Sequence, residues 1–416
     1  MKGRLSGRLS RLPVGFQEVA LVGAIVAVVL LTMLLDFPKY TYWHEPLSTA
    51  ANIARRTAML GIFSLGAAVV IIAGGIDLSA GSMIAFSGTI CATLMVLMAP
   101  DAMANYTPLG TNVIVLAILG TLFVGFLVGT LHAWLIAIVR LPPFIATLGT
   151  LVGLRSLARV ICGQVTEVVL HGRNSQIVIT DEHFRDLAIQ VRNPIIIFLA
   201  LSVALWLMMS RTVVGRHIYA LGGNEQAARL SGIRTERVKW LAYCIGAMTA
   251  SIAGILYIGD QAVAVPANLG QSYELNAIAA AVVGGCSLVG GAGTIWGTVL
   301  GVLFLQVVIY GVGTVVTQNA DMYQGLVVGL VLVCTSAFSQ FRESSGPGKR
   351  LFPGPLGSAA ILALALLAGT LVSLITNKGA AISTTVGTLA VLVAIKIWEG
   401  KAAARGQGPG KIPNVE

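Results

Sequence analysis

The segment GRHIYALGGNEQAARLSGI, residues 215–233, is polar and basic and interrupts an otherwise apolar chain. Asn224 is a residue type that caps helix starts, and Gly232 is a type that ends helices, so about two turns of polar helix fit between them. The wider stretch 211–240 joins two apolar segments. A polar helical hairpin between two membrane spans predicts a surface that another protein binds.

The composition around this hairpin is that of a membrane protein. Hydrophobic residues make up 56% of the 416, charged residues 11%, and the mean hydropathy is +0.86. Such a balance is too apolar for a soluble surface. The apolar segments are continuous rather than alternating, which favours membrane-spanning helices over a barrel. We therefore predict an all-α polytopic integral membrane protein.

Apolar runs predict about ten core transmembrane or re-entrant helices and two additional C-terminal spans, within a range of eight to twelve in total. Glycine pairs and prolines interrupt helices, so residues 74–89 and 142–150 are expected to be broken or re-entrant. The predicted spans lie near residues 18–36, 57–74, 81–99, 111–139, 143–161, 194–210, 241–259, 274–291, 294–316, 322–339, 357–375 and 381–398.

The distribution of lysine and arginine predicts the orientation. With the N-terminus inside, 18 of the 27 basic residues fall on the cytoplasmic side, including those of the 211–240 loop. The net charge of +10 reflects this asymmetry and attraction to anionic lipid, so nucleic acid is not expected as a partner. The predicted regions are a basic cytoplasmic N-terminus (1–17), a transmembrane domain (18–340), a cytoplasmic linker (341–356), two further spans (357–398) and a cytoplasmic tail (399–416). The first apolar segment is expected to be an uncleaved helix.

Several kinds of chemistry are missing from the sequence. It contains no GxxxxGK[ST] phosphate loop, so the chain is not expected to hydrolyse ATP itself. Its five cysteines stand without CxxC or Cys/His spacing, which predicts neither a metal site nor a disulfide framework. The interiors of the predicted spans are almost free of carboxylates, and the exceptions, Glu18, Asp77 and Glu274, lie near span ends, which disfavours a carrier driven by an ion gradient.

A second motif, GGIDLSAGS, covers residues 74–82. Gly74 and Gly75 can end one helix, and Asp77 or Ser79 can cap the next, which leaves a polar break of the kind that lines transport pathways. Alternatively, Asp77 only satisfies backbone donors at a helix start. The two interpretations are compatible.

A third motif, YELNAIAAAVVGGCSLVGGAGTIWGT, covers residues 273–298. Its GxxxG spacings at 293–297 and 297–301 permit close helix packing, and a gating hinge is the alternative. Glu274 is either a charge at a helix N-terminus or a polar pathway residue. GGIDLSAG and GGCSLVGG at 284–291 also echo each other, which suggests two diverged structural repeats.

Together these three motifs, with PFIATLGT at 143–150 and Arg155 after it, resemble the permease subunit of bacterial ABC importers for ribose, xylose and related sugars. The resemblance extends over about residues 15–340. It implies an inner-membrane subunit that pairs with a second permease copy, identical or related, and receives its sugar from a periplasmic binding protein. A separate cytoplasmic ATP-binding subunit would hold ATP and magnesium, and this chain would bind no cofactor.

The same resemblance implies roles for particular residues. Gly222 and Gly223 would allow a tight approach, Ala227 and Ala228 would offer a flat face, and Arg216 and Arg229 would pair with acids on the ATP-binding subunit; an ordinary basic loop is the alternative. The coupling loop would comprise Gly215, Arg216, Tyr219, Gly222, Gly223, Asn224, Glu225, Ala227, Ala228, Arg229, Ser231 and Gly232. The translocation path or dimer seam would comprise Gly74, Gly75, Asp77, Ser79, Glu274, Gly284 and Gly285.

Two positions depart from the family pattern: Asn276 stands where Asp is frequent, and Cys286 where Thr is frequent. The expected function is uptake of a monosaccharide, a pentose or related sugar, by an ABC importer. An ABC permease for branched-chain amino acids or nucleosides is one alternative, and an ion-coupled secondary carrier is another. Candidate pore residues, chosen as aromatic and amide side chains, are Trp134, Tyr257, Gln261, Gln306, Tyr310 and Gln318.

Overall fold

A computed structural model describes residues 14–36, 44–172, 175–315, 320–343, 354–375 and 378–405. The chain forms two compact units, Met1–Ser336 and Ala337–Glu416. Within the described residues almost all regular structure is helical, which confirms the all-α prediction. Residues 1–13 of the predicted N-terminal region and residues 406–416 of the predicted tail lie outside the described residues.

The first unit begins with helix α1 (Val14–Leu35), and the boundary between the two units, after Ser336, falls within helix α14 (Ala320–Glu343). The elements in order are α1 (Val14–Leu35), α2 (Pro46–Ile72), α3 (Ala80–Met98), α4 (Pro100–Ala104), α5 (Thr111–Ala133) with a π-helical turn (Trp134–Ile138), α6 (Pro143–Val168), β1 (Ile177–Val178), α7 (Glu182–Ile189), α8 (Arg192–Arg211), α9 (Val213–Gly223), α10 (Glu225–Leu230), α11 (Thr235–Gln261), β2 (Val263–Ala264), α12 (Tyr273–Val283), α13 (Ile295–Val315) and α14 (Ala320–Glu343).

Among the described residues, eight helices are long and apolar enough to cross a membrane. They are Glu18–Leu35, Pro46–Ile72, Ala80–Met98, Thr111–Ile138, Pro143–Val168, Arg192–Arg211, Thr235–Gln261 and Ile295–Val315. The predicted breaks after residue 74 and before residue 143 are present, and each separates two helices of spanning length.

The predicted span 274–291 is wrong as a continuous helix. Its helical part, α12, stops at Val283, and residues 284–294 form a loop. Gly285, Gly290 and Gly291 adopt positive φ angles of 92°, 96° and 71°, a backbone conformation that no continuing α-helix contains. Composition alone hid this end, because glycine, valine and cysteine are as apolar in a loop as in a span.

Helices α2, α3 and α11 form the centre of the first unit. The most apolar stretches of these helices are 89%, 78% and 72% buried, against 6% for α1. Close packing here needs a glycine: a Cβ on Gly254 of α11 would lie 2.5 Å from the carbonyl oxygen of Ile84 in α3. The helices therefore approach at backbone contact distance, which a larger side chain would prevent.

The far end of α11, opposite its junction with residues 211–234, is tied to its surroundings. Ile177–Val178 pairs antiparallel with Val263–Ala264, which joins the segment after α6 to the end of α11. The buried carboxylate of Asp181 accepts from the backbone N–H groups of Phe184 and Leu109, each at 2.8 Å. Arg55 and Asp260 form an ion pair in the same part of the chain.

The second unit contains two long helices, α15 (Gly354–Ile375) and α16 (Lys378–Arg405). They pack against each other, and the Lys396 ammonium donates to the Ser358 hydroxyl. Of the predicted linker, residues 344–353 lie outside the described residues. Helix α16 continues past the predicted end of the last span at 398.

Candidate functional site

The polar hairpin at residues 211–234 consists of two short helices with local caps. Thr212 Oγ1 accepts from the N–H of Gly215 at 3.3 Å and starts α9. Asn224 Oδ1 accepts from the N–H of Ala227 at 2.9 Å and starts α10, as the sequence predicts. Short-range rules therefore determine the conformation of this hairpin.

Gly232 ends α10, as the sequence also predicts. Its φ is +83°, its N–H donates to Arg229 O at 3.0 Å, and the N–H of Ile233 donates to Ala228 O at 3.1 Å. This pair of bonds is a Schellman motif, in which a left-handed glycine closes the helix. After Gly232 the chain reverses its direction and continues into α11.

The outward face of α10 differs from the predicted flat alanine face. Ala227 is exposed, whereas Ala228 is only 4% exposed and packs inward, because successive helix residues point about 100° apart. Leu230 is 90% exposed. Sequence reasoning gave Leu230 no role; its signal is a large apolar side chain in a helix of otherwise small and polar residues.

Charges within the hairpin largely pair with one another. Arg229 Nη2 lies 2.8 Å from Glu236 Oε1 and 3.6 Å from Glu225 Oε1, and Lys239 Nζ lies 2.7 Å from Glu225 Oε1. Arg229, expected to meet acids of another subunit, here joins α10 to the start of α11. Arg216 is exposed and has no ion-pair partner in the described part of the chain.

The hairpin contacts the membrane-spanning helices through backbone at a glycine junction, formed by Gly74, Gly222, Gly290, Gly291 and the carbonyl of Ile72. The N–H of Gly291 donates to Ile72 O at 2.9 Å. A Cβ on Gly222 would overlap that same carbonyl oxygen, and one on Gly290 would lie 2.7 Å from Gly74 Cα. Three separate motifs of the sequence therefore meet at one point.

Gly223 takes part in this junction through its backbone: a Cβ on Gly291 would lie 2.7 Å from both Gly223 Cα and Gly223 N. A Cβ on Gly223 itself would meet no atom within 4 Å, so that side of the residue borders open space. The tight approach to an ATP-binding subunit, expected of Gly222 and Gly223, stays a prediction.

Tyr219 fixes α9 to the loop between α12 and α13. Its hydroxyl donates to the carbonyl of Gly293 at 2.8 Å. Burial raises the pKa of Tyr219, and the nearby Cys286 raises it further. Cys286, where the family often has Thr, lies 3.5 Å from Thr298 Oγ1, and burial raises the pKa of its thiol to about 11. Both side chains are thus neutral packing and hydrogen-bonding groups at neutral pH.

The helix ends at Gly74 and Gly285 have the same geometry. Gly74 N–H donates to Ile71 O and Gly75 N–H to Val70 O, both at 2.9 Å; Gly285 N–H and Cys286 N–H repeat the pattern with Val282 O and Ala281 O, again at 2.9 Å. Gly74 therefore corresponds to Gly285, whereas the sequence echo aligned it with Gly284. Two diverged repeats stay a prediction.

Gly284 is the C-cap of α12, with φ and ψ angles of −69° and −1°. A Cβ on it would lie 2.5 Å from the Gly297 carbonyl carbon and 2.7 Å from Thr298 Cα, so α12 and α13 pack closely here. A role of Gly284 in the transport path or as a hinge stays a prediction.

The break between α2 and α3 is organised by Asp77. Its Oδ1 accepts from the N–H of Ser79 at 2.8 Å and from the Ser79 hydroxyl at 2.6 Å. Ser79 precedes α3 but makes no side-chain cap, so Asp77 stabilises the turn before the helix instead of capping the helix itself. Thr147 Oγ1 accepts from the N–H of Leu78 at 3.2 Å and lies 3.2 Å from the carbonyl oxygen of Ile76. These two contacts join the break to the start of α6.

An interior polar cluster of Asp77, His132 and Tyr243 lies beside this break. His132 and Tyr243 are 1% and 2% exposed, and their ring centroids are 6.2 Å apart. His132 Nε2 pairs with Thr150 Oγ1 at 2.7 Å. In the described residues, His132 Nδ1 and the Tyr243 hydroxyl have no hydrogen-bond partner. Buried polar atoms are normally paired, so these atoms are available to a ligand or water.

Sequence reasoning missed His132 and Tyr243, because single polar residues in apolar helices form no motif. A Cβ on Gly75 would overlap the Tyr243 hydroxyl, and a Cβ on Gly246 of α11 would lie 3.7 Å from Asp77 Oδ2. The cluster thus depends on contacts between α5, α11 and the break, which are distant in the sequence.

Arg155 binds the segment that leads into α12. Its Nη1 donates to the carbonyl of Leu269 at 3.0 Å and to those of Pro266 and Ala267 at 3.3 Å, and Nη2 donates to Gly270 O at 3.3 Å. In the first turn of α12, Glu274 Oε2 is buried without a hydrogen-bond partner among the described residues. A pathway role for Glu274 stays a prediction.

The other pore candidates are dispersed. Trp134 is 52% exposed on α5, and Tyr257 packs against Phe63 and Tyr273 with ring centroids at 6.5 and 5.0 Å. Gln318 lies outside the described residues.

In the described part of the chain, eight helices long and apolar enough to span a bilayer, a capped polar hairpin and two broken helices that meet it indicate a multi-pass membrane protein. Residues 49–336 match the family described as branched-chain amino acid transport system, permease component. The chain belongs to that family, whose members are permease components and not themselves ATPases.

Curated relatives agree with the family match. The chain is 33% identical to a probable ABC transporter permease protein of Sinorhizobium fredii, over 79% of this chain and 90% of that protein. It is 34% identical to a ribose import permease of Escherichia coli, over 68% and 82% respectively. A galactose/methyl galactoside import permease of Escherichia coli is 30% identical over 77% and 94%. No solved structure matches the chain. The resemblance found in the motifs is thus confirmed.

Proposed function

We propose that this chain is the membrane-spanning subunit of an ABC importer that carries a monosaccharide, a pentose or a related sugar. The relatives named for ribose and galactose support the class of cargo. The observation that carries the mechanism is the glycine junction, where Gly222 of the hairpin lies directly on the carbonyl of Ile72 at the end of α2.

The partners in this proposal are a separate subunit that binds ATP and magnesium, a periplasmic sugar-binding protein and a second permease copy. The excess of basic residues in the 211–240 loop supports a cytoplasmic position for the hairpin, with both termini on the same side. An ATP-binding subunit on that side would meet the hairpin first.

The exposed face of α10 is the proposed contact for the ATP-binding subunit. Leu230 presents a large apolar side chain, and Ala227 beside it leaves room for a partner's side chains. Arg216 and Gly223 lie on the exposed part of α9, where Arg216 can pair with a carboxylate. An apolar anchor with a charged neighbour is the usual composition of an interface centre and its rim.

Motion at the hairpin would reach the transport path by two routes. One is the contact of Gly222 with the end of α2, directly before the Asp77 break. The other is the hydrogen bond from Tyr219 to Gly293, in the loop between α12 and α13. Packed backbone contacts transmit displacement because neither side can yield without breaking close packing. Both helix breaks therefore move with the hairpin.

The interior polar cluster is the proposed lining of the path. Tyr243 and His132 each present an unpartnered polar atom, and Asp77 adds a carboxylate. Sugars carry several hydroxyl groups that both donate and accept, so such a set can exchange hydrogen bonds with a sugar in transit. Because the cluster is buried inside one chain, it favours the path over the dimer seam as the role of Asp77.

A branched-chain amino acid is the second candidate cargo, favoured by the description of the family. The decisive experiment reconstitutes the chain with its ATP-binding subunit and binding protein in vesicles. We expect ribose or galactose to stimulate ATP hydrolysis and leucine to have no effect. Stimulation by leucine alone would replace the sugar by an amino acid. Accumulation by the chain alone, driven by an ion gradient, would contradict the importer.

A further inference from the structure

Two apolar grooves lie on either side of Trp240, at the start of α11. The larger has a volume of about 590 Å³. Its apolar lining consists of Val214, Ile233, Val238 and Leu241, and its basic lining of His217, Arg234 and Arg237. This groove separates the base of the hairpin from the first turn of α11.

The smaller groove has a volume of about 280 Å³ and runs along the π-helical turn Trp134–Ile138. Trp134, Ala137 and Ile138 line one wall, and Arg237 and Trp240 line the other. The π-helical turn widens α5 locally by one residue, which opens space beside α11. Trp134 and Ile138 are 52% and 61% exposed, so this groove opens to the outer surface of the helices.

Trp240 forms a fixed ridge between the grooves. Its indole Nε1 donates to Thr130 Oγ1 at 3.1 Å, and its ring meets Phe126 edge-on with centroids 5.7 Å apart. Arg237 and Trp240 line both grooves. We refer to the two grooves, with these two shared residues, as the fork.

The positive charge at the meeting point is not neutralised within the hairpin. Glu236, which also lines the smaller groove, pairs with Arg229, and Glu225 pairs with Lys239. Arg234 and Arg237 are exposed and have no carboxylate partner in the described ranges. Two guanidinium groups thus remain for an anion at the mouth of the fork.

The position of the fork fits the boundary of a bilayer. It lies where α5 ends and α11 begins, and two tryptophans flank it, a residue type that collects at membrane boundaries. Basic residues over an apolar crevice at this depth attract anionic phospholipid headgroups.

We propose that the fork binds one anionic diacyl phospholipid. Its phosphate would lie between Arg234 and Arg237, and its two acyl chains would follow the two grooves on either side of Trp240. A protein partner would leave one feature without explanation, namely two separate apolar grooves that share one arginine and one tryptophan. The proposal concerns lipid binding by this chain and does not depend on the transported cargo.

The test uses the purified full chain, stripped of lipid and then offered phosphatidylglycerol or phosphatidylcholine in detergent. Native mass spectrometry measures the affinity for each lipid. We expect tighter binding of phosphatidylglycerol, and a loss of roughly tenfold or more in its affinity in the double variant Arg234→Gln, Arg237→Gln. Arg216→Gln is the matched control, because Arg216 is an exposed, unpaired arginine of the same hairpin outside both grooves. It should bind phosphatidylglycerol as the unchanged chain does.

A second measurement needs no arginine variant. Phosphatidylglycerol with brominated acyl chains should quench the fluorescence of the unchanged chain more than brominated phosphatidylcholine, and replacing both tryptophans that line the grooves, in the double variant Trp134→Phe, Trp240→Phe, should remove most of that difference. Equal quenching by the two lipids would overturn the proposal. So would an equal loss of affinity in Arg216→Gln and the double variant, or a disulfide between two copies of an Arg234→Cys chain, which would place protein on the grooves.

Discussion

The N–H of Gly291 donates to the carbonyl oxygen of Ile72 at 2.9 Å, and this bond joins the loop after α12 to the last residue of α2. Gly222 of the hairpin lies against the same carbonyl. One backbone group is therefore shared by three segments that are far apart in the sequence. A displacement of any one of them changes the surroundings of the other two.

The matched pair Gly222→Ala and Gly223→Ala tests this junction. A methyl group on Gly222 overlaps Ile72 O, so the variant should lose about 1–3 kcal/mol of stability and transport should fall. Gly223→Ala meets open space and should be neutral or slightly stabilising, since alanine favours helix. Melting temperature in detergent and vesicle uptake are the measurements. Equal effects at both positions would contradict the contact.

Leu230→Ser should weaken binding of the ATP-binding subunit by roughly tenfold or more, because it removes the apolar side chain most exposed on α10. The folded chain should keep its melting temperature, since Leu230 is 90% exposed. Leu47→Ser is the control, because Leu47 is 85% exposed but lies at the start of α2, at the opposite end of that helix from the junction. Pull-down of the ATP-binding subunit distinguishes the two. Unchanged binding by the Leu230 variant would exclude this face as the docking surface.

Tyr219→Phe should lower stability, whereas Tyr243→Phe should not. The Tyr243 hydroxyl has no partner among the described residues, so its removal should be neutral or stabilising by about 1 kcal/mol. Tyr219→Phe breaks the bond to Gly293 O and should cost about 1 kcal/mol. If the interior polar cluster lines the path, Tyr243→Phe should also slow sugar transport despite its stability. Calorimetry and uptake rates together separate these roles, and a fast, destabilised Tyr243→Phe would refute both expectations.

Arg155→Met should destabilise the approach to α12 by about 2 kcal/mol, because it leaves carbonyl groups at residues 266–270 without their charged donor. Arg155→Lys should recover part of that loss, since one ammonium group cannot reach all four carbonyls with the geometry of a guanidinium. Arg159→Lys, one helical turn further along α6, serves as the control. Protease sensitivity of the 262–272 segment reports the change, and a resistant Arg155→Met segment would argue against this role.

Local rules allowed much of this fold to be predicted. Apolar length gave most spans, Asn224 and Gly232 gave both ends of α10, and Gly74 gave the end of α2, because each signal lies within a few residues of its effect. Contacts between segments that are distant in the sequence could not be predicted. His132 approaches Tyr243 only after α5 packs on α11.

The errors have the same origin. Arg229 pairs with Glu236 within the hairpin, a contact that the sequence did not predict, and its pairing with acids of another subunit stays a prediction. Ala228 turned inward because α9 and α11 provide a surface for it, which no spacing rule contains. The end of α12 at Val283 depended on glycine φ angles, and hydropathy carries no information about them.

The two-residue ladder between Ile177–Val178 and Val263–Ala264 sets the geometry of any rigid motion of α11. This helix has 27 residues, about 40 Å at 1.5 Å per residue, and the ladder fastens the end that lies away from the hairpin. If, as proposed, an ATP-binding subunit pushes on the hairpin, we expect α11 to tilt about a pivot near Val263, with an amplitude that grows towards Thr235. The two ends of the transport path beside α11 would then open by unequal amounts, because the end of α11 held by the ladder would move less than the end next to the hairpin.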